Sequence, residues 1–228
     1  MWRATSTWAA EALAVFAKEW RCEFRTRYAL NTLALFAVTT LVVVSVSLGP
    51  LGASSVERVT VLPVLLWLIL LFAAAAGLPR AFVHEEETHT ATALRLAAPP
   101  GALFCGKQAY ALALVAALEA LVVPLFLVMM QLPVARPGLL LAALAAGGYG
   151  LATGSTLVAA IIGQAQSRGT LFAVLSFPIL LPLLIFSVQL TRLAVAGEPP
   201  GEALKVLLLY DGSVTVAAFM LFPVIWNP

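Results

Sequence analysis

The residues best suited to chemistry in this chain are few, and most fail on spacing. Gly101-Ala-Leu-Phe-Cys-Gly106-Lys107-Gln108 comes within one position of a phosphate-binding loop, G-x-x-x-x-G-K-[ST]. In that loop backbone N–H groups and the lysine hold phosphates while a hydroxyl ligates magnesium. Here Gln108 replaces the hydroxyl residue, Pro99-Pro100 stand where a buried strand is needed, and an apolar run follows. Nucleotide binding is therefore rejected. His84 and His89 surround the acids Glu85, Glu86 and Glu87. A separation of five puts two histidines on different faces of a helix, whereas helical ligand pairs are three or four apart. They read as solvated loop residues, and no haem-attachment motif accompanies them. Cys22 and Cys105 make no disulfide framework. With no nucleophile–base pair and no metal cluster, no enzyme is expected, and any ATP that drives this protein is hydrolysed by another subunit.

Glu119 argues by position instead of motif. It is the sole charge between Gln108 and Ala135. At about 1.5 Å per residue it lies roughly 17 Å along a helix from Gln108, near the middle of a bilayer. An ionisable side chain at that depth faces a bundle interior or a wet cavity, and Glu119 reads either as a functional or interface group, the favoured reading, or as a protonated, hydrogen-bonded structural glutamate. Asp211, two turns into the last apolar run, is the other acid at depth, and Gly212 after it leaves open a displaced helix start.

The elements that position these residues follow from composition. The chain of 228 residues is 62% hydrophobic and only 11% charged, with a net charge of +2. Soluble domains are nearer half apolar and a quarter charged. Six runs hold at most one charge each: 28–56, 59–79, 108–135, 137–167, 169–191 and 206–228. Each is long enough to cross the hydrocarbon layer, and continuous Leu/Ala-rich runs argue for helices over alternating barrel strands. Spans are expected at 29–49, 60–79, 107–131, 138–162, 170–192 and 204–226, in one membrane domain over 1–228. Breakers separate them, including Gly49-Pro50, Pro133 to Gly138, Gly163 to Gly169 and Pro199-Pro200. Pro124, Pro178, Pro182 and Pro223 fall inside spans and predict bent helices. Gly147, Gly148, Gly150 and Gly154 give the fourth span small faces, with a G-x-x-x-G at 150–154 that suits either packing within the chain or a homodimer.

Residues 6–27 precede the first span. Leu13, Phe16, Trp20 and Phe24 recur every three or four positions, with Glu11, Lys18, Arg21 and Arg25 mostly elsewhere on the wheel. That pattern predicts an amphipathic helix in the membrane interface. A cleaved signal would carry a shorter apolar core nearer the start. With both termini in the cytoplasm, nine of the thirteen Lys and Arg fall on the inner side, as the positive-inside rule requires. No dense basic run points to nucleic acid. The loop 80–106 then lies inside. Its stretch from Glu85 to Leu96 has room for about three helical turns before Pro99. The pattern alone fits a docking helix and a plain connector equally.

In order, these features resemble the CcmB-type haem exporter protein B family, the permease of the cytochrome c maturation ABC transporter, from about residue 11 to 228. The resemblance is carried by Lys18-Glu-Trp-Arg-Cys-Glu23-Phe-Arg25-Thr-Arg27, by Arg80, Phe82, Glu85, Glu87, Leu94, Leu96 and Gly106-Lys107, by Glu119 and Pro124-Leu-Phe126, and by Arg168 to Phe186 with Pro178-Ile-Leu-Leu-Pro182. One departure is Thr88-His89, where the family usually has Asp-Gly or a similar turn. The resemblance implies an all-α membrane protein of the ABC exporter permease type in the bacterial inner membrane. It has six spans, an interfacial helix and a cytoplasmic coupling helix. It implies that Arg80, Phe82, Glu85, Glu87, Leu94 and Leu96 form the surface that seats in a cytoplasmic ABC ATPase subunit. Its other partners would be a haem-handling membrane protein and a periplasmic haem chaperone. No intrinsic cofactor is expected: haem is a ligand handled by the complex, and ATP binds the partner. The residues alone also suit a permease for drugs or polysaccharide, or a non-transporting assembly scaffold.

Overall fold

The computed structural model describes residues 8–48, 55–78, 94, 98–163 and 168–226. Among the described residues there is no strand, and seven long helices follow in order: α1 Trp8–Thr26, α2 Tyr28–Leu48, α3 Ser55–Gly77, α4 Pro100–Met129, α5 Pro137–Gly163, α6 Arg168–Ala196 and α7 Ala203–Trp226. The last six are long and apolar enough to cross a membrane, as the charge-free runs predict. The α1 helix is the amphipathic one.

The helix ends are set by local chemistry. Arg27, at φ 50°, breaks the chain between α1 and α2. The Glu23 carboxylate then accepts the Leu30 N–H at 2.9 Å, satisfying one of the donors that the first turn of α2 leaves open. Gly197 adopts φ 79° after α6. The Glu198 N–H returns to the Leu193 carbonyl at 3.0 Å, a glycine-terminated stop that a Cβ would disfavour. The loop between α4 and α5 is pinned to this end by Arg136 N–H donating to the Ala194 carbonyl at 2.9 Å.

Helix α4 corrects one predicted boundary. The expected span starts at 107 after a loop ending at 106, but helix begins at Pro100. Proline at the first helical position needs no N–H partner and has the required φ, so the Pro-Pro pair read as a stop is also a start. Residues 101–108, the near-match to a phosphate loop, are the first turns of α4. At 30 residues this helix measures about 45 Å, longer than the hydrocarbon layer is thick, so it either tilts or extends past the layer.

Helix α5 occupies the centre. Of its most apolar stretch 83% is buried, against 17–50% for the other five spans. Glycine makes this crowding feasible. A Cβ at Gly147 would fall less than 3.0 Å from Trp67 of α3 and Ser187 of α6; at Gly148, from Glu119 of α4; at Gly150, from Asp211 of α7 and Leu183 of α6; at Gly154, from Leu180 of α6. The 150–154 pair therefore packs within the chain. Polar groups between the helices pair inward. Trp67 Nε1 donates to Thr191 Oγ1 at 2.9 Å, Gln108 Nε2 to Thr153 Oγ1 at 2.8 Å, and Tyr210 Oη to the Ile179 carbonyl within the Pro178–Pro182 turn at 2.6 Å.

At one end of the bundle Phe104, near the start of α4, packs on Phe219 and Phe222 of α7, and Phe222 stacks on Trp226. The start of α4 and the end of α7 thus share a side, as an even alternation of crossings requires.

Gly147→Ala and Gly150→Ala are each expected to destabilise the protein by about 1–3 kcal/mol through overpacking. Gly212→Ala, with nothing within 4 Å of its new methyl, should be neutral or stabilise by up to about 1 kcal/mol. Thermal unfolding in detergent micelles measures all three.

Candidate functional site

The junction of α1 with α4 is built from a carboxylate face. Val15, Glu19 and Glu23 recur every four residues, and these are the residues α1 buries. Opposite them, on the opening turns of α4, stand Gly106, Lys107 and Tyr110. Gly106 lets the backbones meet: a Cβ there would lie 2.6 Å from the Ala12 carbonyl oxygen and 2.7 Å from Val15 Cβ. Lys107, 1% exposed, donates to Glu19 Oε1 at 2.9 Å. Lys18 reaches the same oxygen from the surface at 3.1 Å. One turn on, Tyr110 Oη donates to Glu23 Oε2 at 3.1 Å while Glu23 Oε1 caps α2. Two glutamates thus tie three helices together.

Burial raises the Glu19 carboxyl, but Lys107 and then Lys18 outweigh it and hold it below the ordinary 4.5. A buried pair with this geometry matters most when broken, because the surviving charge has neither water nor partner.

Leu13, Trp8 and Phe24 are exposed, and Phe16, Trp20 and Phe24 form a continuous ring contact along the helix. Helix α1 therefore has a carboxylate row toward α4, an aromatic stripe beside it whose Phe16 and Trp20 are half-buried against the core and whose Phe24 is exposed, and exposed Arg21 and Arg25. The amphipathic helix is where the spacing places it. The apolar stripe is divided: its middle, Phe16 and Trp20, is half-buried and packs on the bundle's core beside the glutamate row, while its ends, Leu13 and Phe24, are exposed. The Val15-Glu19-Glu23 spacing was the available signal for this face, and Lys107 at the foot of a span was its complement.

Of the predicted coupling residues, Arg80, Phe82, Glu85, Glu87 and Leu96 lie outside the described residues, as do His84, Thr88 and His89. Leu94 is described. It is half-buried and packs against the cluster of Val15, Leu103, Phe104, Phe222 and Trp226. Glu119 sits on α4 against Gly148 of α5 and lines a cavity of about 550 Å³ between those helices. Its Oε1 has no hydrogen-bond partner among the described residues. Asp211 lies within an unbroken α7, 4% exposed, on the opposite side of α5 against Gly150. Both of its oxygens are unpartnered among the described residues. Sequence spacing alone left its place open. The structure settles it as an interior group, not a displaced helix start. No group of three His, Cys, Asp or Glu side chains that could hold a metal ion occurs among the described residues.

Lys107→Ala should cost about 3–5 kcal/mol by stranding Glu19, whereas Glu19→Leu with Lys107→Met should recover most of it. Limited proteolysis of α1 in lipid nanodiscs reads both. Because the folded Glu19 carboxyl titrates below its unfolded value of 4.5, its contribution is complete above that pH and is lost as pH falls below it. Protease release of α1 should therefore rise only on acidification beneath about 4.5.

Two comparisons with known proteins bear on this arrangement. A protein of Bradyrhizobium diazoefficiens named heme exporter protein B is 29% identical over 164 residues, which is 72% of each chain. The family model described as CcmB protein matches residues 10–224, from the first turn of α1 to the last of α7. That match takes in the acidic face of α1, the Gly106-Lys107 step and both acids that flank α5, and by it the chain belongs to the CcmB protein family, a multi-pass membrane protein.

Proposed function

We propose that this chain is the membrane permease subunit of an ABC transporter that exports haem, or delivers it to a periplasmic chaperone, in cytochrome c maturation. The observation that carries this reading is the family match over residues 10–224, together with the printed name of the Bradyrhizobium diazoefficiens relative. The complex would lie in the bacterial inner membrane with both termini of this chain in the cytoplasm, the side on which nine of its thirteen Lys and Arg then fall. Haem is the cargo and is not resident in this chain. ATP is bound and hydrolysed by a separate cytoplasmic subunit. A haem-handling membrane protein and the chaperone complete the assembly.

Arg80, Phe82, Glu85, Glu87, Leu94 and Leu96 would seat in the ATPase. What supports a mechanical role for this segment is the packing of Leu94 against a cluster to which α1 contributes Val15, α4 Phe104 and α7 Phe222. A displacement of Leu94 bears on a cluster that these helices share. The Glu19–Lys107 pair ties α1 to α4. ATP-driven closure of the ATPase subunits would move the coupling segment, and α4 and α7 would then shift against the central α5. Two states of the bundle must contact cargo differently for that motion to do work. Glu119 and Asp211, on either side of α5, are the acids such a shift would move.

Charge reversal at both Glu85 and Glu87 should lower recovery of the ATPase subunit in co-purification about tenfold, as like charges replace complementary ones at a docking surface. Unchanged recovery would remove these residues from the interface. Haem-chaperone release assays separate the haem reading from transport of another cargo.

A further inference from the structure

The docking of α1 sorts its charges by sign. From Trp8 to Arg27 the sequence holds three acids and four bases, nearly neutral in sum. Folding turns the acids inward: Glu19 and Glu23 are buried and Glu11 is half-buried. Lys18 reaches back to Glu19. What remains outside is cationic. Arg21, Arg25 and Arg27 are exposed, and none has an ion pair or a side-chain hydrogen bond among the described residues. Arg21 and Arg25 are four apart, so they are neighbours on one helix face and repel each other. Leu13 and Phe24, both exposed, are eleven apart, about three turns, and lie on one line beside that face.

Connectivity fixes the depth of this face. Arg27 alone separates α1 from α2, the first span, and from Tyr28 to Val56 no charge occurs. An unpaired guanidinium is costly in hydrocarbon, so the edge of the layer falls at Arg27–Tyr28. Tyr28 is exposed, as suits an aromatic residue at a membrane edge. The chain itself therefore holds Arg25 and Arg27 at headgroup depth, where the anions within reach are lipid phosphates. A guanidinium meets a phosphate with two parallel N–H bonds, and Leu13 and Phe24 supply the shallow apolar anchor of an interfacial basic helix. A zwitterionic headgroup brings its own cation, whereas an anionic one leaves a net negative charge for the arginines. An acidic protein surface would first have to displace the headgroups that the entry of α2 brings alongside. We propose that the outward face of α1 binds anionic phospholipid headgroups, with Arg21, Arg25 and Arg27 holding the phosphates and Leu13 and Phe24 seated among the uppermost acyl carbons. The inference goes beyond the transport reading, since it requires a negatively charged leaflet and no cargo.

The test uses the full chain in nanodiscs of phosphatidylcholine mixed with phosphatidylglycerol, with a trace of one lipid or the other carrying a photoactivatable headgroup. Adducts are mapped by peptide mass spectrometry. On residues 8–28 the phosphatidylglycerol probe should outyield the phosphatidylcholine probe at least about fivefold, the preference expected of even one arginine at an anionic surface. Arg21→Gln with Arg25→Gln should lower the phosphatidylglycerol yield about fivefold or more. Arg21→Lys with Arg25→Lys, which keeps the charge, should hold it within about twofold. Arg192→Gln, at an exposed arginine of α6, should leave the α1 adducts unchanged, as should replacing chloride by inorganic phosphate at equal ionic strength. In native membranes the phosphatidylglycerol probe should label α1 as well. Equal yields from the two probes, or a preference indifferent to the glutamine pair, would overturn the proposal. So would adducts lost to inorganic phosphate but not to chloride, the mark of a soluble-anion site, or an α1 shielded from lipid by a protein in native membranes. Haem-chaperone release plays no part in the readout, so failure here leaves the transport reading standing.

Discussion

Hydrocarbon accepts and donates no hydrogen bonds, so a polar group in this protein that does not reach water is costly unless another protein group pairs with it. That constraint lets carboxylates share the buried side of a helix with apolar residues. The buried row of α1 is Val15, Glu19 and Glu23, with Phe16 and Trp20 half-buried beside it, while Leu13 and Phe24 are exposed. In water such a helix would bury its aromatics and leave its carboxylates exposed. At a membrane edge the exposed Trp8, Leu13 and Phe24 have a solvent of their own, and the carboxylates have Lys107, Tyr110 and the open first turn of α2. The Glu19–Lys107 pair does not need to add large net stability over an apolar pair to matter. It fixes which face of α1 is used, and Gly106 makes the approach close enough for the pair to form.

The same constraint explains the central helix. Helices in lipid gain nothing from hiding apolar surface from one another, so close packing and inward polar contacts hold them. Helix α5 supplies the close packing by omitting side chains at Gly147, Gly148, Gly150 and Gly154, and each gap is filled from a neighbour. Two of the fillers are acids, Glu119 from α4 and Asp211 from α7. A helix threaded between two carboxyls and an indole cannot slide without repacking all three. Relative motion of the surrounding helices is therefore more readily a rocking about α5 than a translation along it. The aromatic cluster of Phe104, Phe219, Phe222 and Trp226 closes the end where Leu94 bears on the bundle.

What could be read from the residues was what hydropathy sorts. Six apolar runs became six helices, and the three-to-four-residue recurrence of Leu13, Phe16, Trp20 and Phe24 became α1. Where the reading failed, two environments had been treated as one. Lys107 was taken as a boundary mark because charges normally end spans. Paired with Glu19 it is instead buried inside a helix that begins at Pro100. The carboxylate face of α1 was not singled out, because a wheel plot separates polar from apolar but not solvated from paired. The neighbours of Glu119 and Asp211, Gly148 and Gly150, could not be named, because contacts between distant spans leave no periodic trace in the chain. The loop residues from Arg80 to Leu96 rest on resemblance, and among them Leu94 alone has described surroundings.

The central claim is that the glutamates of α1 face protein and not water. Carbodiimide-driven amine coupling to carboxylates, on the unmodified protein in lipid nanodiscs, asks this directly, with labelled sites read by peptide mass spectrometry. Glu198 and Glu202, both exposed, should couple readily, and Glu19 and Glu23 should be protected until the protein is denatured. Coupling of Glu19 and Glu23 at the rate of Glu198 in the folded protein would show that α1 does not dock through its acids, and would contradict the account.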